Sequence, residues 1–220
     1  MAYPAPPWHL CGRALLALHL VDLAIARRFV PAELEPVTVL PGKTLGGIYL
    51  AHYTPGSTLS YSELIAVPAL VRHGNSLGAW ISHIYVDDAD SVAGGREIWG
   101  LPKTLASFDW EQEFVSVSQG GEQLCIAHYH QPWLGLPSLI RPQIPSRIFS
   151  GLGEQLLQFA SEFQGKLSLT QSRLSVPENS PLAALELERP VATAYSDSFQ
   201  FIAHKPQVIG NKRSAVLSYF

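Results

Sequence analysis

Short apolar runs, many of them rich in valine, isoleucine, tyrosine and tryptophan, follow one another along the chain between glycine and proline residues. Glycine and proline favour turns, and β-branched and aromatic residues favour strands, so this pattern is typical of an antiparallel β protein with many turns. It predicts strands over residues 14–22, 45–53, 60–71, 78–88, 107–118, 121–130, 166–176, 182–188 and 199–206.

Two segments have a pattern that favours a helix. In residues 151–163, leucine and phenylalanine recur at helical spacing. Residues 23–34 predict a short helix that Pro31 ends, because proline disfavours helical geometry in the residue before it. Residues 132–145 are too rich in proline for a regular element and predict a loop.

These elements predict a mainly β (α+β) fold with one or two helices, in one domain over residues 1–220. So many strands would leave exposed edges in an open sheet, and closing the sheet removes those edges. The sequence therefore predicts an antiparallel closed β-barrel.

The composition favours a compact chain with buried surface between subunits. Of 220 residues, 47% are apolar and only 15% are charged, which is well below the usual quarter. The predicted assembly is therefore a homo-oligomer. The formal net charge is -3 and there is no run of lysine and arginine, so nucleic acid is not an expected partner.

The two cysteines, Cys11 and Cys125, provide neither a disulfide framework nor a metal-binding spacing, which favours a reducing, cytoplasmic location. The apolar stretch 10–26 resembles a membrane segment in composition. Arginine, histidine and aspartate interrupt it, and no basic segment precedes it, so no membrane partner is expected.

Histidines and paired glycines are the first candidates for a cofactor site. His128 and His130 would share one face of a strand, but no third ligand follows from local spacing, so no metal is predicted. The pairs Gly46–Gly47, Gly94–Gly95 and Gly120–Gly121 lack the lysine and hydroxyl residue of a phosphate loop. They are interpreted as turns or bulges, and no cofactor is predicted.

Lys103 ends a mostly apolar stretch, "IWGLPK", in a chain with five lysines. Pro102 removes a backbone donor, and Gly100 permits an unusual backbone dihedral or a close backbone approach. This local geometry can aim the Lys103 side chain into an apolar cavity. Burial disfavours the charged form of an amine, and a neutral amine can condense with a carbonyl group to form an imine. The alternative is a lysine whose apolar stem packs while its charge reaches water.

The segment "GGREIWGLPKTLA" (94–106) resembles the acetoacetate decarboxylase family, in which a Gly-Arg-Glu segment leads through an apolar spacer to Pro-Lys. Further stretches agree with that family in order along the chain. They are "PPWHLCGRALLALHL" (6–20), "TLGGIYLAHY" (44–53), "YSELI" (61–65), "SHIYVDD" (82–88) and "LELERPVATAYSDSFQFIAHKP" (185–206). The resemblance implies the barrel or cone of that family.

The resemblance also implies roles for individual residues. Lys103 corresponds to the lysine that forms the Schiff base, Arg13 to an arginine that meets the substrate carboxylate, and Glu63 to an active-site glutamate. Arg96 and Glu97 match the motif, and we expect them to form a partly buried ion pair that supports the lysine. The remaining expected substrate contacts are Trp99 and Leu101 from the apolar spacer.

Two departures from the family pattern concern the substrate. Acetoacetate decarboxylase activates its lysine by desolvation or a neighbouring cation. Its second lysine directly follows the first, where this chain has Thr104. Activation here would rely on desolvation. Residues 45–53 also lack the second acidic residue of the decarboxylase. These departures weaken the case for acetoacetate and leave Schiff-base chemistry in place.

The leading hypothesis is a lyase that decarboxylates a β-keto acid through an imine on Lys103 and needs no cofactor. One alternative is an aldolase-dehydratase that uses the same imine on a small carbonyl compound. Another is a non-catalytic β-barrel that binds an apolar carbonyl ligand among Trp80, Trp99 and Trp133.

Overall fold

The computed structural model describes residues 3–130, 132, 134–135, 141–187 and 189–212. Trp133 and residues 136–140 of the predicted loop 132–145 lie outside these ranges. Residues 134–135 and 143–145 of that segment are in strands, so the loop prediction is wrong there. The described residues form a larger sheet and a smaller one. The strands of the larger sheet are β1 (Trp8–Asp22), β2 (Glu35–Pro36), β3 (Lys43–Tyr53), β4 (Ser62–Val67), β5 (Ala69–His73), β6 (Ser76–Trp80), β7 (His83–Val86), β8 (Lys103–Leu105), β12 (Leu134–Gly135), β13 (Gln143–Leu152), β14 (Gln155–Gly165), β15 (Ser168–Thr170), β17 (Ala192–Ala203) and β18 (Gln207–Asn211). Those of the smaller sheet are β9 (Ser107–Trp110), β10 (Phe114–Gln119), β11 (Glu122–Tyr129) and β16 (Ser172–Ser175).

The larger sheet is a curled half-barrel with two free ends. Its main strand order is β2-β5-β6-β13-β14-β17-β1-β3-β4-β7-β8, and the end strands β2 and β8 do not pair with each other. Two of its pairs, β6 with β13 and β7 with β8, are parallel. The mainly β class is confirmed, whereas the closed antiparallel barrel is wrong: the sheet is open and mixed.

Helix α2 (Ala89–Trp99) explains one of the parallel pairs, because a parallel connection requires a crossover between the two strands. The Asp88 side chain accepts a hydrogen bond from the Ser91 backbone N–H, which caps the first turn. Gly100 ends the helix in the left-handed conformation, with φ of 61°. The sequence pattern did not predict this helix, since Gly94 and Gly95 lower its helical propensity.

Several predicted elements differ in the structure. Residues 151–163 were expected to be helical but form the end of β13, a turn at Gly153 and most of β14. Alternate residues of β14 are apolar as well, so the spacing fits a strand. The strand predicted at 182–188 is wrong, because a 3-10 helix, Pro181–Leu185, overlaps most of it, and Ser180 caps that helix. The helix predicted at 23–34 shrinks to α1 (Leu23–Ala26).

The two faces of β1, β3 and β4 contact different cores. One face packs against the smaller sheet, where Leu15, Leu50 and Leu64 lie in the same apolar cluster as Val115 and Val117. The next residues along each strand point the other way, into the concave side of the curled sheet. This alternation separates a packed core from the cavity described below.

No helix among the described residues is long and apolar enough to cross a membrane. The single domain over residues 1–220, the cytoplasmic location and the homo-oligomer stay predictions.

The two cysteines are expected to differ in reactivity. Cys125 is fully buried, and burial raises the pKa of its thiol to about 12. Because the thiolate is the reactive form, Cys125 stays inert at pH 8 while half-buried Cys11 reacts. Titration with a chromogenic disulfide reagent should therefore detect one thiol in the native protein and both in denaturant. Rapid modification of Cys125 in the native protein would contradict this burial.

Candidate active site

Lys103 begins β8 and is held at both its backbone and its side chain. Ile84 of β7 is its partner in the parallel pair. Arg96, on α2, donates a hydrogen bond from Nε to the Lys103 carbonyl oxygen at 2.7 Å. The side chain then turns inward, so that the residue is only 3% exposed.

The Lys103 amine has three polar partners in this buried position. Nζ lies 2.7 Å from Glu63 Oε1 and donates hydrogen bonds to the Tyr61 hydroxyl at 3.2 Å and to Ser91 Oγ at 3.0 Å. The rings of Tyr61 and Trp8 also face it, at 4.8 and 5.8 Å from their centroids. The attraction between the buried ammonium and the buried carboxylate offsets part of the cost of taking each charge out of water. Removing either side chain would leave the other charge buried without its partner.

Glu63 is fixed through its second oxygen. It lies on β4 opposite Ala51 of β3 and is 4% exposed. The Tyr53 hydroxyl donates a hydrogen bond to Glu63 Oε2 at 2.8 Å. Burial, and next the negative charge of Glu63, hold the pKa values of Tyr53 and Tyr61 well above the usual range, so both phenols stay neutral. Glu63 therefore contacts the amine through Oε1, while Oε2 accepts the hydrogen bond from Tyr53.

The ion pair lies in the wall of a cavity of about 560 Å³. Strands from distant parts of the larger sheet line it, including Phe159 on β14 and Ala79 on β6. Most of the wall is apolar or aromatic, and the surroundings of the ion pair include Trp8, Ile84 and Leu101. The arrangement offers one nucleophile and one proton acceptor to a ligand in an otherwise apolar space.

Gly95 of α2 leaves the space that the Lys103 stem occupies. A Cβ atom at residue 95 would lie 2.4 Å from Lys103 Cδ and 2.8 Å from Cε, closer than atoms can pack.

The prediction that Gly94–Gly95 forms a turn or bulge is wrong, because the pair lies in α2 and is buried. Gly46–Gly47 lies within β3, and Gly120–Gly121 forms the predicted turn.

We expect Gly95→Ala to slow imine formation at Lys103 by at least about tenfold, because the amine must move away from Glu63. Alanine favours a helix over glycine by about 1 kcal/mol, which offsets part of the clash in the free energy of unfolding. Trapping rates with a reactive aldehyde, measured beside urea unfolding, test this. Gly210→Ala is the matched control, since nothing lies within 4 Å of its added Cβ. Equal trapping rates in the two variants would show that Gly95 does not position the amine.

The structure brings some of the predicted residues together and separates others. Lys103, Glu63, Trp99 and Leu101 all line the cavity. Arg13 does not, because it alternates with Ala14 and lies on the opposite face of β1, where its guanidinium stacks 4.7 Å from the centroid of the Trp110 ring.

Arg96 and Glu97 have separate partners on the exposed side of α2. Arg96 supports the Lys103 carbonyl group, as described above, and Glu97 accepts a hydrogen bond from the Tyr3 hydroxyl. Adjacent residues of a helix do not face each other, which is why the expected ion pair does not form. Of the two residues expected to support Lys103, Arg96 is the one that contacts it.

Four contacts of the ion pair were not predicted from the sequence: Trp8, Tyr53, Tyr61 and Ser91. One of them had a detectable signal, because Tyr61 precedes Glu63 by two residues and so shares its face of the extended chain. Ser91 had none, since its contact with Lys103 depends on the unpredicted helix α2.

Comparison with known proteins relates the chain to a family. Residues 1–132 match the family model described as acetoacetate decarboxylase. Protein NEOXANTHIN-DEFICIENT 1 of Oryza sativa subsp. japonica is 41% identical over 103 residues, which cover 47% of this chain and 34% of that protein. The matched region thus spans about a third of the length of this curated relative.

Solved structures share the fold over nearly the whole chain. An acetoacetate decarboxylase has a TM-score of 0.77 at 17% identity, with 97% of this chain and 93% of that chain covered. The enduracididine biosynthesis enzyme MppR, solved with the condensation product of pyruvate and imidazole 4-carboxaldehyde, has a TM-score of 0.67 at 17% identity, with coverages of 95% and 91%. At these identities the likeness concerns the fold.

Proposed function

The chain belongs to the acetoacetate decarboxylase family, and from this premise we propose that it is a Schiff-base lyase whose Lys103 forms an imine with the carbonyl group of its substrate. The observation that carries the proposal is the buried contact of Lys103 Nζ with Glu63 Oε1, at 2.7 Å, in the wall of the cavity. The pair supplies both groups that imine formation needs, a nucleophile and a proton acceptor.

Glu63 moves the protons of this reaction. When a carbonyl compound enters, Glu63 accepts a proton from the Lys103 ammonium group, and the freed amine attacks the carbonyl carbon. The resulting carbinolamine takes a proton on its oxygen and loses water, which leaves a protonated imine. Tyr53 keeps its hydrogen bond to Oε2 during these steps and so holds the carboxyl group in place.

The imine then acts as the electron sink for carbon–carbon cleavage. In a β-keto acid, the electron pair of the bond to the carboxylate moves into the imine, which yields carbon dioxide and an enamine. Protonation of the enamine and hydrolysis of the imine release the ketone and restore Lys103. The apolar wall around the pair disfavours the carboxylate charge relative to neutral carbon dioxide, which promotes this step without help from Arg13.

Aldol-type cleavage or condensation through the same imine is the second candidate. MppR, which shares the fold, has been solved with a condensation product of pyruvate and an aldehyde. Residue 104 is threonine, so no second lysine follows Lys103, and the other cation in the cavity lining, Arg147, is an exposed residue of β13. Such a site is compatible with a neutral aldehyde or ketone.

Borohydride trapping tests the proposal. The protein is incubated with acetoacetate, pyruvate or benzaldehyde and reduced, and peptides are analysed by mass spectrometry. A stable adduct on Lys103 is the expected result, and release of carbon dioxide from the β-keto acid distinguishes decarboxylation from aldol chemistry. Modification spread over the exposed lysines, with Lys103 unlabelled, would instead favour the non-catalytic binding protein.

A further inference from the structure

The cavity at Lys103 borders a second apolar space. A smaller cavity of about 170 Å³ shares five lining residues with the larger one. The shared residues are Leu16, Tyr49, Val67, Leu70 and Ala79. The two spaces are therefore adjacent, and their common lining gives a path along which a ligand could extend from one to the other.

The strand register gives the direction and length of this extension. Glu63 of β4 pairs with Ala51 of β3, and four residues farther along β4, Val67 pairs with Gly47. Val67 and Gly47 both line the smaller cavity. Four residues of a strand span about 13 Å, so this part of the smaller cavity lies roughly that far along the sheet from Glu63.

The lining changes along this path from polar to apolar. The amine and the carboxylate lie at one end, whereas leucine, valine, glycine and alanine residues form most of the smaller cavity. Gly46 and Gly47 line it with their backbone, because a Cβ atom at either would collide with Val67 O or Ala17 O, at 2.5 and 2.6 Å. Ala79 adds a small side chain to the same wall. The exposed part of the larger cavity's lining is mixed: Leu16, Leu77 and Ile144 are 38%, 44% and 44% exposed, and Ser146 and Arg147 are exposed as well.

We propose that the substrate is a carbonyl compound with a long, extended apolar tail, whose carbonyl group reacts at Lys103 while the tail runs along β3 and β4 into the smaller cavity. This inference rests on the proposed Schiff-base function for its reactive end. A four-carbon keto acid would occupy a small part of about 560 Å³ and leave water against apolar walls. A long tail removes those walls from water.

A series of β-keto acids of increasing length tests the tail site: acetoacetate, 3-oxohexanoate and 3-oxododecanoate. We expect the concentration for half-maximal trapping at Lys103 to fall by up to about fourfold for each added methylene group until the cavities are filled. Dodecan-2-ol, which has no carbonyl group, measures tail binding alone through the fluorescence of Trp8 and Trp99, which line the larger cavity.

Ala79→Phe should remove the preference for the long compounds, because the ring would block the passage that Ala79 lines. The effect is measured as the ratio of half-maximal concentrations for 3-oxododecanoate and acetoacetate, so that a change common to both compounds cancels. Ser76→Phe is the matched control, since Ser76 lies on the same strand but lines neither cavity. Both variants retain the residues that contact the reacting carbonyl group.

The two proposals can fail separately. Equal half-maximal concentrations for short and long keto acids, or a preference that Ala79→Phe leaves intact, would overturn the tail site even if every compound is trapped on Lys103. If no compound is trapped but dodecan-2-ol still binds and Ala79→Phe abolishes that binding, the imine fails and the apolar ligand class is supported. Absence of both trapping and dodecan-2-ol binding would overturn both.

Discussion

Replacing Lys103 with alanine is expected to abolish the borohydride-trapped adduct and to lower turnover by about 10⁴-fold or more, as loss of a covalent nucleophile does in other enzymes. The remaining four lysines cannot substitute, because none of them lines the cavity that holds Glu63. Trapping followed by peptide mass spectrometry, together with turnover of the best keto acid, measures both effects.

Lys103→Ala also removes the only cation in contact with Glu63 among the described residues. Breaking a buried ion pair on one side costs about 3–5 kcal/mol, so this variant should unfold at a lower urea concentration. A loss of turnover could therefore arise from unfolding.

The double variant Lys103→Met, Glu63→Gln separates chemistry from stability. It replaces both charges with neutral side chains of similar size, and such replacements are often neutral or stabilising. We expect its unfolding midpoint to recover most of the loss seen in Lys103→Ala, while adduct and turnover stay absent. Substantial turnover by the stable double variant would refute the role of Lys103 as the nucleophile.

The proposed nucleophile was found from the sequence because it lies in a short, local motif. "GREIWGLPK" contains the lysine, the glycine that admits its stem and the arginine that holds its carbonyl oxygen. The pairing of Lys103 with Glu63 is a long-range contact between β8 and β4. It was expected only through the family resemblance, since no local spacing connects residues so far apart in sequence.

The closed barrel and the placement of Arg13 were harder to predict for a different physical reason. Whether a sheet closes depends on the pairing of its first and last strands, and α2 places β8 parallel to β7 at one end. The side on which a strand residue lies depends on register, and a shift of one residue exchanges the two faces. The register of β1 against β17 shifts between Gly12 and Ala14, next to Arg13.

The same limit applies to residues 151–163. Their apolar side chains satisfy a helical spacing and a strand alternation together, and the choice is made by pairing with β13 and β17, which the local sequence does not contain. The positive φ of 55° at Gly153 allows the turn that joins β13 to β14.

Glu63→Gln is expected to separate imine formation from turnover. The amide keeps the size of the side chain but can no longer accept the Lys103 proton, and general acid–base groups contribute about 10²- to 10⁴-fold to rates. Turnover should fall by that factor. With its counter-charge removed, the buried amine is less favourable in its ammonium form and stays nucleophilic, so the trapped adduct should still form.

The diagnostic result for Glu63→Gln is therefore a large fraction of enzyme trapped on Lys103 during slow turnover, because hydrolysis of the imine needs a base for the attacking water, whereas attack by the neutral amine does not need Glu63 to take a proton first. Tyr53→Phe is the matched control. This variant removes the hydrogen bond to Oε2 and retains the carboxylate. Loss of one hydrogen bond to a charged group costs about 1.5–3 kcal/mol, which corresponds to roughly 10- to 150-fold in rate if the full cost falls on the transition state. If Glu63→Gln turns over faster than Tyr53→Phe, Glu63 supports Lys103 only as a structural partner. A parallel loss of adduct and turnover in Glu63→Gln would instead show that the carboxylate is needed before the imine forms, because it places the amine.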